Sequence, residues 1–367
     1  MKPQNGGWLR QKLINPLVWH LSGGREDRQQ AFSVSDILKA PGRILVIPDG
    51  RPGGIFLGAS QVWAIRQRYP ESQIVLLVRH EKAYIAREFP FVDEVLTYEE
   101  FLLPFGGRQR ETVRQLQDRA FDIAFCFSTE ENICPASLCY KSGAQLRVGF
   151  QRDDFPFFNV RIIPREEASF ELDRLALILN TLGIPQVKER VSWSVSKEGA
   201  KKIRDRFLVG RKPAEQFLGL DISRDGGNKP SDKQLQALAE VLAGQENTRL
   251  LVFFDYAARS GANKIKEVLG QKVLLFQGDD LPRLVALLES CTHLFAPNSD
   301  LLHLAISKAL PTTAFLTREE KLRWIPPDAK QLEILSLGGF EDWNASQLSS
   351  AVTRALTREQ QEPAGVA

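Results

Sequence analysis

The chain has 367 residues, 43% of them hydrophobic and 25% charged, with a formal net charge of +3. That length exceeds one ordinary domain, and the composition is that of a globular protein, neither disordered nor fibrous. The weak positive charge falls short of the concentrated basic footprint of a nucleic-acid binder, so no nucleic acid is expected as partner, and no run of about 18 apolar residues is present to span a membrane.

Residues 1–40 read as an N-terminal extension without the apolar core and cleavage site of a signal peptide. Its segment WLRQKLINPLVWHL sets Trp8, Leu9, Leu13, Ile14, Leu17, Val18 and Trp19 among Arg10 and Lys12. Two readings stay open for residues 1–21. One is an interfacial anchor, giving peripheral membrane contact; the other is a helix packed on the body of the protein and broken at Pro16.

From residue 41 onward, apolar runs alternate with amphipathic stretches, the pattern of an α/β chain with parallel sheets. In the first half, strands are expected at 44–47, 73–78, 92–98, 122–128 and 146–150. Helices are expected at 59–68, 82–88, 108–119 and 135–142. The long helix SFELDRLALILNTLG closes this half at Gly183, a normal glycine helix end. Within it, RILVIPDGRPGGIFLGAS (43–60) runs from a strand into a glycine-rich turn and then a helix. Such a turn often cradles a phosphate at the helix N-terminus.

Residues 184–195, IPQVKERVSWSV, read as a connection. The second half restarts with the helix KEGAKKIRDRFLV and the strand QFLGLDIS (216–223). The capped helix SDKQLQALAEVLAG follows, then strands RLLVFFD (249–255) and KVLLFQG (272–278). LPRLVALLESC is a helix, THLFAPN a strand, LLHLAISKAL a helix and PTTAFL a strand. The expected domains are therefore 41–185 and 186–344, with a last helix and frayed tail at 345–367. The four cysteines, Cys126, Cys134, Cys139 and Cys291, show neither a C-x-x-C pair nor matching histidine spacing. They read as structural thiols of a reducing, cytoplasmic protein.

Several segments resemble the ADP-heptose:lipopolysaccharide heptosyltransferase family, glycosyltransferase family 9. The first strand, its turn and SQVWAIRQRYPESQIVLLVR are similar to that family's first strand, active-site loop, helix and second strand. EFPFVDEVLTY resembles its NPxVDEVI element, and LRVGF followed by NVRI its RIGF stretch. PNSDLLHLAISKALPTTAFL resembles its NDSGPMHLAAALGVPTVALFG. The likeness spans about residues 41–345. It implies a GT-B fold: two doubly wound Rossmann-like domains facing a central cleft, the acceptor on the N-terminal side and the nucleotide sugar on the C-terminal side. It also implies inverting, metal-independent transfer, with a nucleotide-diphosphate sugar as substrate and no cofactor. The acceptor would be lipid-linked or a polysaccharide, and the protein cytoplasmic or peripheral to the inner membrane.

The resemblance also assigns site residues, and this chain departs from it at several. Family members carry Gly-Asp in the first turn, where the acid serves as general base. Here Gly53 matches the glycine and Gly54 takes the acidic position. Asp49, five residues earlier at the strand's carboxyl end, is the candidate replacement base; the alternative is that it only begins a Pro-Asp-Gly turn. On the nucleotide side, Ser223 and Lys229 fall in the loop after a strand, where the family's lysine meets the diphosphate. Asn298 stands where the family has aspartate and Asp300 where it has glycine. Ser299 and His303 complete that set, at a helix N-terminus suited to phosphate. Asp300 adds a charge there that opposes an anion.

Three functions follow as expectations. The first is transfer of a heptose or related sugar to an envelope glycan. The second is a catalytically impaired relative acting as a binding or assembly protein in envelope-glycan synthesis. The third, a dinucleotide oxidoreductase, rests on the first turn alone and has no G-x-G-x-x-G behind it.

Overall fold

The computed structural model describes residues 32–99, 107–129, 132–151, 156–163, 170–185, 191, 193–210, 212, 215–223, 231–245 and 247–336, with 347, 350 and 353–354. The expected anchor at 1–21, the loop carrying Lys229 and most of the 345–367 tail lie outside them. The chain divides into two compact units, Met1–Arg190 and Val191–Ala367.

The first unit holds strands β1 (Arg43–Ile47), β2 (Gln73–Arg79), β3 (Glu94–Tyr98), β4 (Ile123–Cys126), β5 (Leu146–Phe150) and β6 (Val160–Ile162). The second holds β7 (Gln216–Asp221), β8 (Thr248–Phe254), β9 (Val273–Gln277), β10 (His293–Pro297), β11 (Thr312–Leu316) and β12 (Leu332–Ser336). Every pairing is parallel. The spatial orders are β3-β2-β1-β4-β5-β6 and β12-β11-β10-β7-β8-β9. Counted from its own first strand, the second sheet repeats the order of the first, which is that of a doubly wound nucleotide-binding fold.

Parallel strands covered on both faces must be apolar throughout. Ile44 to Ile47 accordingly have no exposed surface. In β7 alternate residues divide the two faces. Leu218, Leu220 and Ile222 pack with Ala239, Leu242, Ala262 and Ile265 from the helices Asp232–Ala243 and Arg259–Leu269. A Cβ added at Gly219, on the other face, would lie 2.8 Å from Leu294 and 3.3 Å from Cys291. That parity places Asp221, at the end of the strand, on the face of Gly219.

Two local departures from the sequence reading bear on the site. The helix after β1 begins at Gly54 and runs to Arg68, five residues before its expected start at 59. Gly53, with φ +77°, makes the left-handed entry, and Leu57 N–H donates to Gly53 O at 2.9 Å. The glycines at 54 and 58 are thus helical and buried. The helix Arg318–Trp324 was also not expected; a reciprocal capping box between Thr317 and Glu320 starts it.

Candidate functional site

In each unit the chain switches helices from one face of the sheet to the other between the first and fourth strands, and ligands of such folds sit beyond the carboxyl ends there. In the first unit this point lies between β1 and β4. Asp49, two residues past β1, is 2% exposed. Its Oδ1 accepts from Arg51 N and Nε, both at 2.9 Å, and its Oδ2 from Arg51 Nη2 at 2.6 Å. Across the switch point, Thr129 beyond β4 donates its N–H to Oδ2 at 3.0 Å and its hydroxyl approaches at 3.3 Å. Thr129 Oγ1 also donates to Glu171 Oε1 at 3.1 Å, and Arg51 lies 3.6 Å from that oxygen. Glu171 opens the helix Glu171–Thr181 and is fully buried.

Burial alone would raise the Asp49 carboxyl. The charge of Arg51, with hydrogen bonds from Arg51 and Thr129, outweighs it and holds the pKa at about 2. Of the two sequence readings of Asp49, replacement base or start of the turn, the geometry fits the second: both of its oxygens anchor the turn, and a carboxylate of such low basicity takes a proton poorly. Gly54 has a separate constraint. A Cβ there would overlap the backbone carbonyl oxygen of Asp49 and lie 2.8 Å from its Cβ. The turn therefore closes too tightly for the acid that the heptosyltransferase pattern puts at this position. The positive φ belongs to Gly53, not to Gly54.

In the second unit the switch point lies between β7 and β10. Asp221 ends β7 and is 1% exposed. Its Oδ1 accepts from Ser223 N at 2.9 Å, and its Oδ2 from the hydroxyl of Ser299, two residues past β10. Ser299 caps the helix Asp300–Ser307, its Oγ accepting from Leu302 N at 3.1 Å. Asn298 Oδ1 lies 3.3 Å from His303 Nε2, and the imidazole meets Trp324 edge-on with centroids 6.3 Å apart. Burial pushes the Asp221 carboxyl up to about 6; the charge of Asp255 adds to the rise, while Ser223 and Ser299 restrain it.

Of the expected nucleotide residues, Ser223, Asn298, Ser299, Asp300 and His303 thus gather at the ends of β7 and β10, and Lys229 lies outside the described residues. Asp221, Thr129, Arg51 and Glu171 were not singled out from the sequence. Asp221 reads there as the last residue of an apolar strand, whereas Thr129 and Glu171 join Asp49 only through the fold. Among the described residues no group of three or more His, Cys, Asp or Glu is placed to hold a metal ion. No helix among them is long and apolar enough to cross a membrane.

No family model and no curated protein matches the chain. Solved structures do. The ADP-heptose lipopolysaccharide heptosyltransferase II of E. coli is 17% identical, with 87% of this chain and 99% of that one covered at a TM-score of 0.67. A glycosyl transferase family 9 protein of Veillonella parvula is 16% identical, with 86% and 97% covered at 0.67. An E. coli heptosyltransferase solved with ADP is 14% identical, with 87% and 98% covered at 0.60. At these identities the likeness establishes the fold, two six-stranded parallel sheets with flanking helices in the GT-B arrangement of strands.

Two substitutions test the turn. Gly54→Ala gains up to ~1 kcal/mol of helix propensity, but overlap with a backbone carbonyl costs roughly 1–3 kcal/mol; urea unfolding should show net destabilisation. Asp49→Asn removes a charged hydrogen-bond acceptor and should cost about 1.5–3 kcal/mol at pH 7. Because the folded pKa of Asp49 is depressed, its contribution is complete above the unfolded value near 4 and is lost as pH falls toward 2. The stability gap between wild type and Asp49→Asn should therefore narrow between pH 4 and pH 2. A gap that is constant over that range would remove the Arg51–Asp49 charge from the account.

Proposed function

We propose that the chain is a glycosyltransferase that moves a heptose or related sugar from a nucleotide-diphosphate donor to a lipopolysaccharide or other envelope-glycan acceptor, by inversion and without a metal. The observation that carries this reading is the convergence of Ser223, Asn298, Ser299 and His303 at the β7–β10 switch point of a heptosyltransferase-like sheet. One structural neighbour, a heptosyltransferase 14% identical to this chain, was solved with ADP-2-deoxy-2-fluoro heptose. In this reading Lys229 contacts the diphosphate, and the loop and helix N–H groups after β7 and β10 supply further donors. The protein acts in the cytoplasm or at the inner face of the membrane.

A second reading is supported by the first unit. Gly54 has no room for a side chain, and Asp49 is tied to Arg51 and Thr129. A chain with that turn would keep the donor site and serve as a binding or assembly protein in envelope-glycan synthesis.

Calorimetry with ADP- and UDP-sugars, followed by assay of nucleotide release from ADP-heptose with heptose-deficient lipopolysaccharide, separates the two. The transferase reading predicts binding and release. Binding without release selects the second reading, and no binding of any donor contradicts both. Lys229→Ala should weaken donor binding by about 1.5–3 kcal/mol, the size of a charged hydrogen bond; unchanged affinity would take Lys229 out of the site.

A further inference from the structure

The two switch points share a device and differ in its charge. In each, an aspartate at the end of the first strand accepts from a hydroxyl residue at the end of the fourth, Asp49 from Thr129 and Asp221 from Ser299. Asp49 has an arginine against both oxygens. Asp221 instead has two serines as donors and Asp255 as a charged neighbour.

We propose that Asp221 sets how tightly the β7–β10 site holds a phosphate-bearing ligand. Its carboxylate repels the ligand and keeps the Ser299 hydroxyl proton, whereas its neutral carboxyl does neither. This rests on the nucleotide-sugar reading of the second unit and adds its regulation.

With Asp221 charged, Ser299 donates its one proton to Oδ2 while its oxygen accepts from Leu302 N. A hydroxyl has a single donor and two acceptor sites, so nothing is left to give a phosphate oxygen. When a proton settles on Oδ2, the direction of that bond reverses. Ser299 then accepts from both Leu302 N–H and the carboxyl, and its own proton turns to the ligand. One negative charge leaves the site in the same step. Helix Asp300–Ser307 keeps its cap in both states, so the change is local.

Charged and polar groups approach Asp221 from several elements. From the β8 side comes Asp255, whose carboxylate also caps the turn at Ala258. From the end of β10 comes Ser299, with Asp300 next in the chain. From its own strand exit comes the N–H of Ser223. The imidazole of the Asp300–Ser307 helix, His303, is turned to Asn298 and Trp324. Arg224, Asp225 and Lys229 follow on the connection 224–230, outside the described residues. With burial and Asp255 acting together, the carboxyl loses its proton near pH 6, within the range where a cell or an assay can move it. By linkage, an anion that binds the neutral form better must draw a proton onto the protein as it binds.

ADP-glucose and UDP-glucose are suitable probes, because their diphosphate diesters stay fully ionised across the range tested. Calorimetry with wild type at pH 5.5, 6.5 and 7.5 should show affinity falling by roughly tenfold overall as Asp221 ionises. Asp221→Asn, a neutral isostere, should bind at all three pH values about as tightly as wild type does at pH 5.5. The wild type alone provides a second reading: at pH 6.5, enthalpies in two buffers of different ionisation heat should report net proton uptake on binding. A pH profile shared by wild type and Asp221→Asn, affinity of wild type independent of pH, or zero proton uptake would each overturn the inference while leaving the nucleotide site standing. Failure of wild type to bind either probe at any pH would defeat the nucleotide reading and this inference with it.

Discussion

A doubly wound sheet opens above the two central strands where its helices change face, and the ends of those strands must be tied without burying an unpaired polar group. Both units of this chain solve that with one buried aspartate. Asp49 and Asp221 each end, or nearly end, the first strand of their sheet and accept hydrogen bonds from a hydroxyl residue on the fourth. A buried carboxylate without donors would cost several kcal/mol, so each aspartate commits its neighbours. In the first unit it commits Arg51 and Thr129 and fixes the turn leading to Gly53. In the second it commits Ser223 and Ser299, the hydroxyl that caps the following helix.

The same device has opposite electrostatics in the two units. A guanidinium compensates Asp49 so well that its pKa falls to about 2. Asp221 faces no cation among the described residues, and Asp255 pushes in the same direction as burial, giving about 6. The first tie is therefore permanent near neutral pH and mechanical in effect. The second changes charge near pH 6.

Much of the fold was legible because parallel strands buried on both faces are continuous apolar runs. The segments 44–47, 73–78 and 249–254 stand out for that reason alone. The helix start at Gly54 was not legible. Two glycines in the first turn look like a break, and only the closeness of the Asp49 carbonyl explains why one of them cannot carry a side chain. The three-residue β6 is too short for a periodic signal, and in β12 Glu333 interrupts the apolar run. At the site, Ser223, Asn298, Ser299 and His303 were found through a family pattern and do gather at strand ends. Asp221 is not legible in QFLGLDIS, since a polar residue closing an apolar strand carries no mark of its burial. Thr129 and Glu171 lie 80 and 122 positions from Asp49, 49 subtracted from 129 and from 171, and no local pattern links them.

Two aspartates in equivalent places differ in charge state. Carbon-13 NMR of side-chain carboxyls in aspartate-labelled protein, assigned with Asp49→Asn and Asp221→Asn, measures it directly. A midpoint near pH 6 is expected for Asp221 and a carboxyl that stays ionised down to about pH 3 for Asp49. Two ordinary transitions near pH 4, or an Asp221 that remains charged below pH 4, would contradict it.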